Sequence, residues 1–268
     1  MSKQFEKLVN VMERLRAPGG CPWDREQTYE SLAPYLLEET YEAFDAIQEV
    51  SETGNTEHLV EELGDVLLQV VFHSTIAKEK GDFTIDDVAD EVAEKLILRH
   101  PHVFEDKKLE TAEEVLSNWD DLKKEQRKKS GKVEKKTDSI LDDIPVAFPA
   151  LIEGNKITKK AAKVGFDWKD ENQVFEKLDE ETEELKNAIK TESKSGMEEE
   201  IGDLLFVIVN LARKLKIEPE NALKKTNRKF RKRFRFIENQ LKTKNKKCED
   251  VNLEEMDNLW NQAKETNI

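Results

Sequence analysis

Two short acidic runs hold the residues of this chain best suited to chemistry. Glu61-Glu62-Leu63-Gly64-Asp65 and Glu199-Glu200-Ile201-Gly202-Asp203 are near copies, 138 positions apart. Upstream of each stands a second acidic run, Glu38-Glu39-x-x-Glu42 and Glu180-Glu181-x-x-Glu184. On a helix, residues three or four apart share a face. Glu39, Glu42, Glu62 and Asp65 therefore form one set able to converge, and Glu181, Glu184, Glu200 and Asp203 form another. At about 4 Å each like-charge pair costs roughly 4 kcal/mol at an effective dielectric near 20. A divalent cation relieves that repulsion. All-oxygen ligation suits hard Mg2+, with Mn2+ as a substitute, and Mg2+ usually binds together with phosphate. Glu38, Glu61, Glu180 and Glu199 stand beside the sets and are the candidates for accepting a proton from water.

In a chain with 58 acidic residues, one EExxE is ordinarily a solvated helix face. The signal lies in its pairing with ExxD at the head of an apolar segment, and in the duplication of the pair. A second duplicated feature is cationic. Lys95 and Arg99 are four apart, as are Lys229 and Arg233. Each pair projects two cations from one helical face, which suits an anion such as phosphate. Such a pair alone is common surface decoration, so its matching position in the two halves carries the reading. Trp119 and Trp260 recur in the last helix of each half; packing is the commoner role there, and base stacking the functional alternative.

These side chains need helices to position them, and the pattern supplies helices throughout. Residues 5–15 read as a short amphipathic helix closed by Ala17-Pro18-Gly19-Gly20, and Cys21-Pro22-Trp23-Asp24 reads as loop. A helix is expected over about 31–50, ended by Gly54-Asn55. The apolar helix follows over about 56–80, ended by Gly81-Asp82. Within it only Gln69 is polar between 66 and 72, and 204–209 of its copy has no polar side chain. Apolar residues in every direction predict a helix buried all round. Helices are also expected over 84–99, stopped by His100-Pro101-His102, and over 111–124. The second half repeats the scheme with helices over 177–190, 197–215, 219–241 and 253–263. The 19 residues between Glu42 and Glu62, and the 15 between Glu184 and Glu200, suit two antiparallel helices joined by a short turn. Gly64 and Gly202 sit mid-helix, where Gly costs about 1 kcal/mol against Ala; close packing is the expected reason. His58 is expected to be exposed, His73 to be a hydrogen-bonded core residue, and His100 and His102 to mark a helix end.

The fold class is therefore all-α, with two tandem helical-bundle domains over 1–122 and 140–268. A basic linker, 123–139, joins them; it is nearly devoid of apolar residues. Only 10 Gly and 7 Pro interrupt the helix formers. A net charge of -14 argues against nucleic acid as a partner through a broad electrostatic surface. No apolar run approaches the roughly 20 residues that span a bilayer, and no signal peptide is read, so a cytoplasmic protein without a membrane partner is expected. Cys21 and Cys248 give no metal-ligand spacing and no disulfide framework. P-loop, Rossmann and nucleophile-elbow motifs are absent from the sequence.

With these residues in view, the chain resembles the MazG family within the all-α NTP pyrophosphatase group. The hallmark EExxE followed by ExxD occurs twice. Further matches are Gly20-Cys21-Pro22-Trp23-Asp24, Arg99-His100-Pro101-His102-Val103-Phe104, Val164-Gly165-Phe166-Asp167-Trp168 and Phe230-Arg231-Lys232-Arg233-Phe234. The resemblance implies tandem domains, a homodimer of intertwined bundles and Mg2+ dependence. It also implies hydrolysis of nucleoside triphosphates (NTP or dNTP) to the monophosphate and pyrophosphate, in nucleotide-pool house-cleaning. It carries metal ligands onto Glu181, Glu184, Glu200 and Asp203, phosphate contacts onto Lys229 and Arg233, and a substrate contact onto Trp260. By the internal repeat, the first-half equivalents are Glu39, Glu42, Glu62, Asp65, Lys95, Arg99 and Trp119. Two alternatives stand beside this reading: a narrower pyrophosphatase acting on dUTP, dCTP or phosphoribosyl-ATP, and a non-catalytic helical regulatory scaffold.

Overall fold

The computed structural model describes residues 2–105, 111, 114, 115, 122 and 138–266. Among them are eleven α-helices, one short 3-10 turn and no strand, so the chain is all-α. It divides into two compact units, Met1–Glu134 and Lys135–Ile268. No helix among the described residues is long and apolar enough to cross a membrane.

The first unit contains α1 (Lys3–Arg16), α2 (Pro22–Glu26), α3 (Tyr29–Thr53), α4 (Glu57–Lys80), α5 (Ile85–Arg99) and α6 (Pro101–Phe104). Local chemistry sets their ends. Thr28 and Ser31 exchange side-chain and backbone hydrogen bonds in a capping box, which starts α3 two residues before the expected Ser31. Gly54 (φ 73°) and Gly81 (φ 77°) close α3 and α4 in the left-handed conformation that glycine adopts without a Cβ clash. Met12, Leu32, Val71, Phe72 and Ile76 form the buried core where α1, α3 and α4 meet. Arg16 fixes the segment after α1. Its buried guanidinium donates to both oxygens of Glu79 at 2.7 Å, and to the carbonyls of Asp24 and Gln27.

The segment expected as loop over 21–24 is in fact a short helix, and a further helical turn follows the α5 end at His100. Pro22 and Pro101 each stand in the first turn of a helix, α2 and α6, where the missing N–H is no loss. Most of the helix expected over 111–124 lies outside the described residues, as does most of the basic stretch that follows.

The second unit contains α7 (Ala150–Lys163), α8 (Glu171–Lys190), α9 (Lys194–Lys214), α10 (Pro219–Thr243) and α11 (Leu253–Glu265). Sequence reasoning did not find α7. Its buried positions are Gly154 and Thr158, too small and polar to write an apolar stripe. Gly154 lets α7 lie close on α9: a Cβ there would stand 3.4 Å from Val209 and 3.6 Å from Phe206. Helix α8 starts six residues before the expected Lys177, because Asp170 caps the backbone N–H groups of Asn172 and Gln173. Asp167 accepts bonds from Arg213 and Lys214, pinning the loop between α7 and α8 onto α9. Ile237, Leu241 and Leu259 pack α10 against α11, with Phe234, Met256 and Trp260 around them.

The expectation of helices buried all round is corrected. One side of α4 is core, with Val71, Ile76 and Ala77 buried, but Val60, Leu63 and Leu67 on another side are exposed. Likewise α9 buries Val207 and Val209 while Ile201, Leu205 and Ile208 lie exposed. Among the described residues, each unit supplies neighbours to one side of its apolar helix only. Gly64 and Gly202 fall on these open stripes, and a Cβ at either would meet nothing within 4 Å. Close packing among the described residues therefore does not explain them.

Candidate metal centres

Helices α3 and α4 lie side by side, and so do α8 and α9. This pairing gathers acids from different parts of the sequence. Carboxylate oxygens of Glu39, Glu42 and Glu62 lie within 4.8 Å of one another, and those of Glu181, Glu184 and Glu200 do the same. Asp65 and Asp203 fall outside these tight groups of three but remain close enough to act on them. Burial first, then the charges of Asp65, Glu42, Glu38 and Glu62, push the Glu39 carboxyl above its ordinary range. Glu200 is raised in the same way, by desolvation and then by Glu184, Glu181 and Asp203. Both clusters thus carry concentrated negative charge.

Glu62 is the most constrained acid of the first cluster. It is 8% exposed, and its Oε2 is buried with no hydrogen-bond partner among the described residues. Its Oε1 lies 2.9 Å from Nε2 of His58, whose Nδ1 lies 2.9 Å from Glu49. The Glu49 hydrogen bond is the largest influence raising the His58 pKa; partial desolvation opposes it, and the charges of Glu62 and Glu49 add to the rise. His58 is exposed, as the sequence suggests, yet it bridges two carboxylates. In the second cluster the partner is a lysine. Lys177 Nζ stands 2.6 Å from Glu181 and 3.0 Å from Glu180, and Glu181 is 4% exposed. These bonds, Glu181's first, raise the Lys177 pKa. Sequence reasoning passed over both partners; the signal was their four-residue spacing from Glu62 and Glu181.

Glu38, Glu61, Glu180 and Glu199 are all exposed at the margins of the clusters. Lys95 and Arg99 are half-buried on the last turns of α5, with Lys95 Nζ 3.9 Å from Glu91. Lys229 is exposed on α10, and the Arg233 guanidinium lies 5.5 Å from the Trp260 ring. Trp260 also stands 5.0 Å from Phe230, which stacks on Phe234, so this indole is part of an aromatic group with one exposed member. Trp119 lies outside the described residues. His73 is half-buried and stacks on Tyr29, and its Nε2 has no hydrogen-bond partner among the described residues. His100 Nδ1 meets the Leu96 carbonyl at 2.6 Å, as a helix-end residue does.

An oxygen-only donor set of three clustered carboxylates, with an unpartnered buried oxygen on Glu62, fits a hard divalent cation. Fold and clusters together define an all-α protein with one such acidic centre in each half. The description "MazG nucleotide pyrophosphohydrolase domain" matches residues 27–104 and 169–235, spans that contain both centres. The chain is 47% identical to a nucleoside triphosphate pyrophosphohydrolase/pyrophosphatase MazG of Thermotoga maritima, over 97% of this chain and 95% of that protein. It is 44% identical to a nucleoside triphosphate pyrophosphohydrolase of Escherichia coli, over 99% and 98% of the two chains. It is also 46% identical to the uncharacterized protein YabN of Bacillus subtilis, over 98% of this chain and 52% of that one. The chain belongs to the MazG nucleotide pyrophosphohydrolase family, a family of enzymes.

Proposed function

We propose that this enzyme hydrolyses nucleoside triphosphates, NTP and dNTP, at the α–β phosphate bond in a Mg2+-dependent reaction. The products are the nucleoside monophosphate and pyrophosphate, and the role is house-cleaning of the nucleotide pool. The observation that carries the reading is the gathering of three carboxylates in each half, with Glu62 holding a buried oxygen that nothing among the described residues satisfies. The names borne by the relatives of Thermotoga maritima and Escherichia coli point the same way.

In this proposal Glu39, Glu42, Glu62 and Asp65 hold metal in the domain of 1–122, and Glu181, Glu184, Glu200 and Asp203 hold it in the domain of 140–268. Bound there, Mg2+ would neutralise charge on the triphosphate oxygens and make water easier to deprotonate. The exposed acids at the margins, Glu38 and Glu61 or Glu180 and Glu199, take the proton of the attacking water. The water oxygen bonds to the α phosphorus, the bond to the bridging oxygen breaks, and pyrophosphate leaves. Lys95 and Arg99, or Lys229 and Arg233, hold the departing phosphates by charge-assisted hydrogen bonds. Trp119 and Trp260 take the base by stacking. The open apolar stripes of α4 and α9 support a homodimer in which a second copy covers them.

The test is a panel of nucleotides, including dUTP, dCTP and phosphoribosyl-ATP, incubated with Mg2+ or with EDTA and resolved chromatographically. Monophosphate with equimolar pyrophosphate, formed from several triphosphates and only with metal, is expected. Turnover of a single substrate would establish the narrower pyrophosphatase instead. Release of orthophosphate and a diphosphate, or no turnover of any substrate, contradicts the proposal.

A further inference from the structure

The two acidic clusters are alike in their carboxylates and unlike in what balances them. On α8, Lys177 stands one turn before Glu181, and its ammonium is 2.6 Å from an oxygen of that buried acid. A second bond, 3.0 Å to Glu180, holds it in place. The corresponding position on α3, one turn before Glu39, is Tyr35. Among the described residues no lysine or arginine reaches Glu39, Glu42 or Glu62; His58 alone approaches, and it contacts only Glu62 of the three.

We infer that Lys177 is a resident counter-ion of the second cluster, occupying by its ammonium the charge position that a divalent metal takes over. The inference rests on the metal-binding reading of the clusters proposed above. Lysine suits this role because its charge is compact and its four-carbon stem is flexible. The Lys177 side chain is 33% exposed, so the stem has a way out to solvent when Glu181 is needed elsewhere. An ammonium and a divalent ion repel each other at contact distances, so both cannot share the Glu181 oxygen. Metal entry at the second cluster is therefore an exchange: the Lys177–Glu181 bond breaks as the ion binds. Without metal, the same bond keeps a buried carboxylate paired and steadies the fold. Among the described residues the first cluster has no such tethered ammonium.

The experiment uses the full chain carrying Glu62→Gln, so that the second cluster is the one reporting. Titration calorimetry with Mn2+ compares this protein with versions that add Lys177→Met, Lys177→Gln or Lys177→Arg. Melting in EDTA is followed for all four by circular dichroism. Removing the ammonium should tighten Mn2+ binding about tenfold, the equivalent of one charge-assisted hydrogen bond no longer broken. The same two variants should melt at lower temperature than their parent in EDTA and gain more from Mn2+. Lys177→Arg, which keeps the charge, should bind Mn2+ closer to the parent than to Lys177→Met. Equal or weaker Mn2+ affinity in both neutral variants, with metal still bound, overturns the counter-ion role alone. No Mn2+ binding by any of the proteins overturns the metal reading together with it.

Discussion

His58 and Glu62 stand one helical turn apart on α4, joined by a 2.9 Å contact that satisfies one carboxylate oxygen and leaves the other buried and, among the described residues, unpartnered. A buried acceptor without a partner costs about 1–3 kcal/mol. A cation binding there removes that penalty, so Mg2+ should stabilise the folded chain. At a concentration a hundred times the dissociation constant the gain is about 2.7 kcal/mol. Thermal melting with and without Mg2+ checks this. The shift should shrink in Glu62→Gln and vanish when Glu200→Gln is added; an equal shift in all three proteins contradicts it.

The open stripe of Val60, Leu63, Gly64 and Leu67 is the basis of a second prediction. In solution the chain should be a dimer by sedimentation equilibrium, and Leu67→Asp with Leu205→Asp should dissociate it. Gly64→Ala separates two cases. On a helix that stays exposed it stabilises by about 1 kcal/mol, whereas under a closely approaching second helix it weakens the dimer. Weakening is expected. A wild-type monomer would refute the assignment of these stripes to self-association.

Asp167 gives a pH signature. Burial alone would raise its carboxyl, but the hydrogen bonds and charges of Arg213 and then Lys214 outweigh burial and hold it below its ordinary range. A depressed folded pKa adds stability that is fully present above the unfolded value, about 3.9, and is lost as pH falls through the folded one. Asp167→Asn should therefore cost about 1–2 kcal/mol at pH 7. The difference from wild type should close in acid. Urea unfolding of both proteins across this range tests it, and a gap that does not change with pH excludes the mechanism.

Arg16 anchors the segment between α1 and α3 through Glu79 and two backbone carbonyls. Arg16→Met should destabilise the first unit by roughly 2 kcal/mol, since the two carbonyls lose a charged donor. Native-state hydrogen exchange should show faster opening around α2 while α9 keeps its protection. Unchanged exchange near α2 argues that the clamp is redundant.

Much of this was legible in the sequence because helices report themselves through spacing. Gly54 and Gly81 mark true helix ends, and the three-residue offset of Glu39 and Glu42 placed both beside Glu62. What stayed hidden has physical reasons. Helix α7 buries Gly154 and Thr158, so its packing face carries no apolar periodicity. His58 and Lys177 are single polar residues in a chain where 38% are charged, and nothing in their type marks them as partners of buried acids. Asp65 and Asp203 follow the spacing rule along their own helices, yet the tight oxygen groups form without them. Periodicity also tells how apolar a helix is and not what covers it, which is why α4 and α9 read as buried all round.

Pyrophosphate release in the presence of Mg2+ is the most direct test of the whole account. It should be measured for wild type, Glu62→Gln, Glu200→Gln and the double variant, each shown by circular dichroism to be folded. The double variant should release no pyrophosphate while keeping its helical content. A folded double variant that turns over at the wild-type rate would contradict it, because the chemistry would then owe nothing to the carboxylates gathered at the two helix pairs.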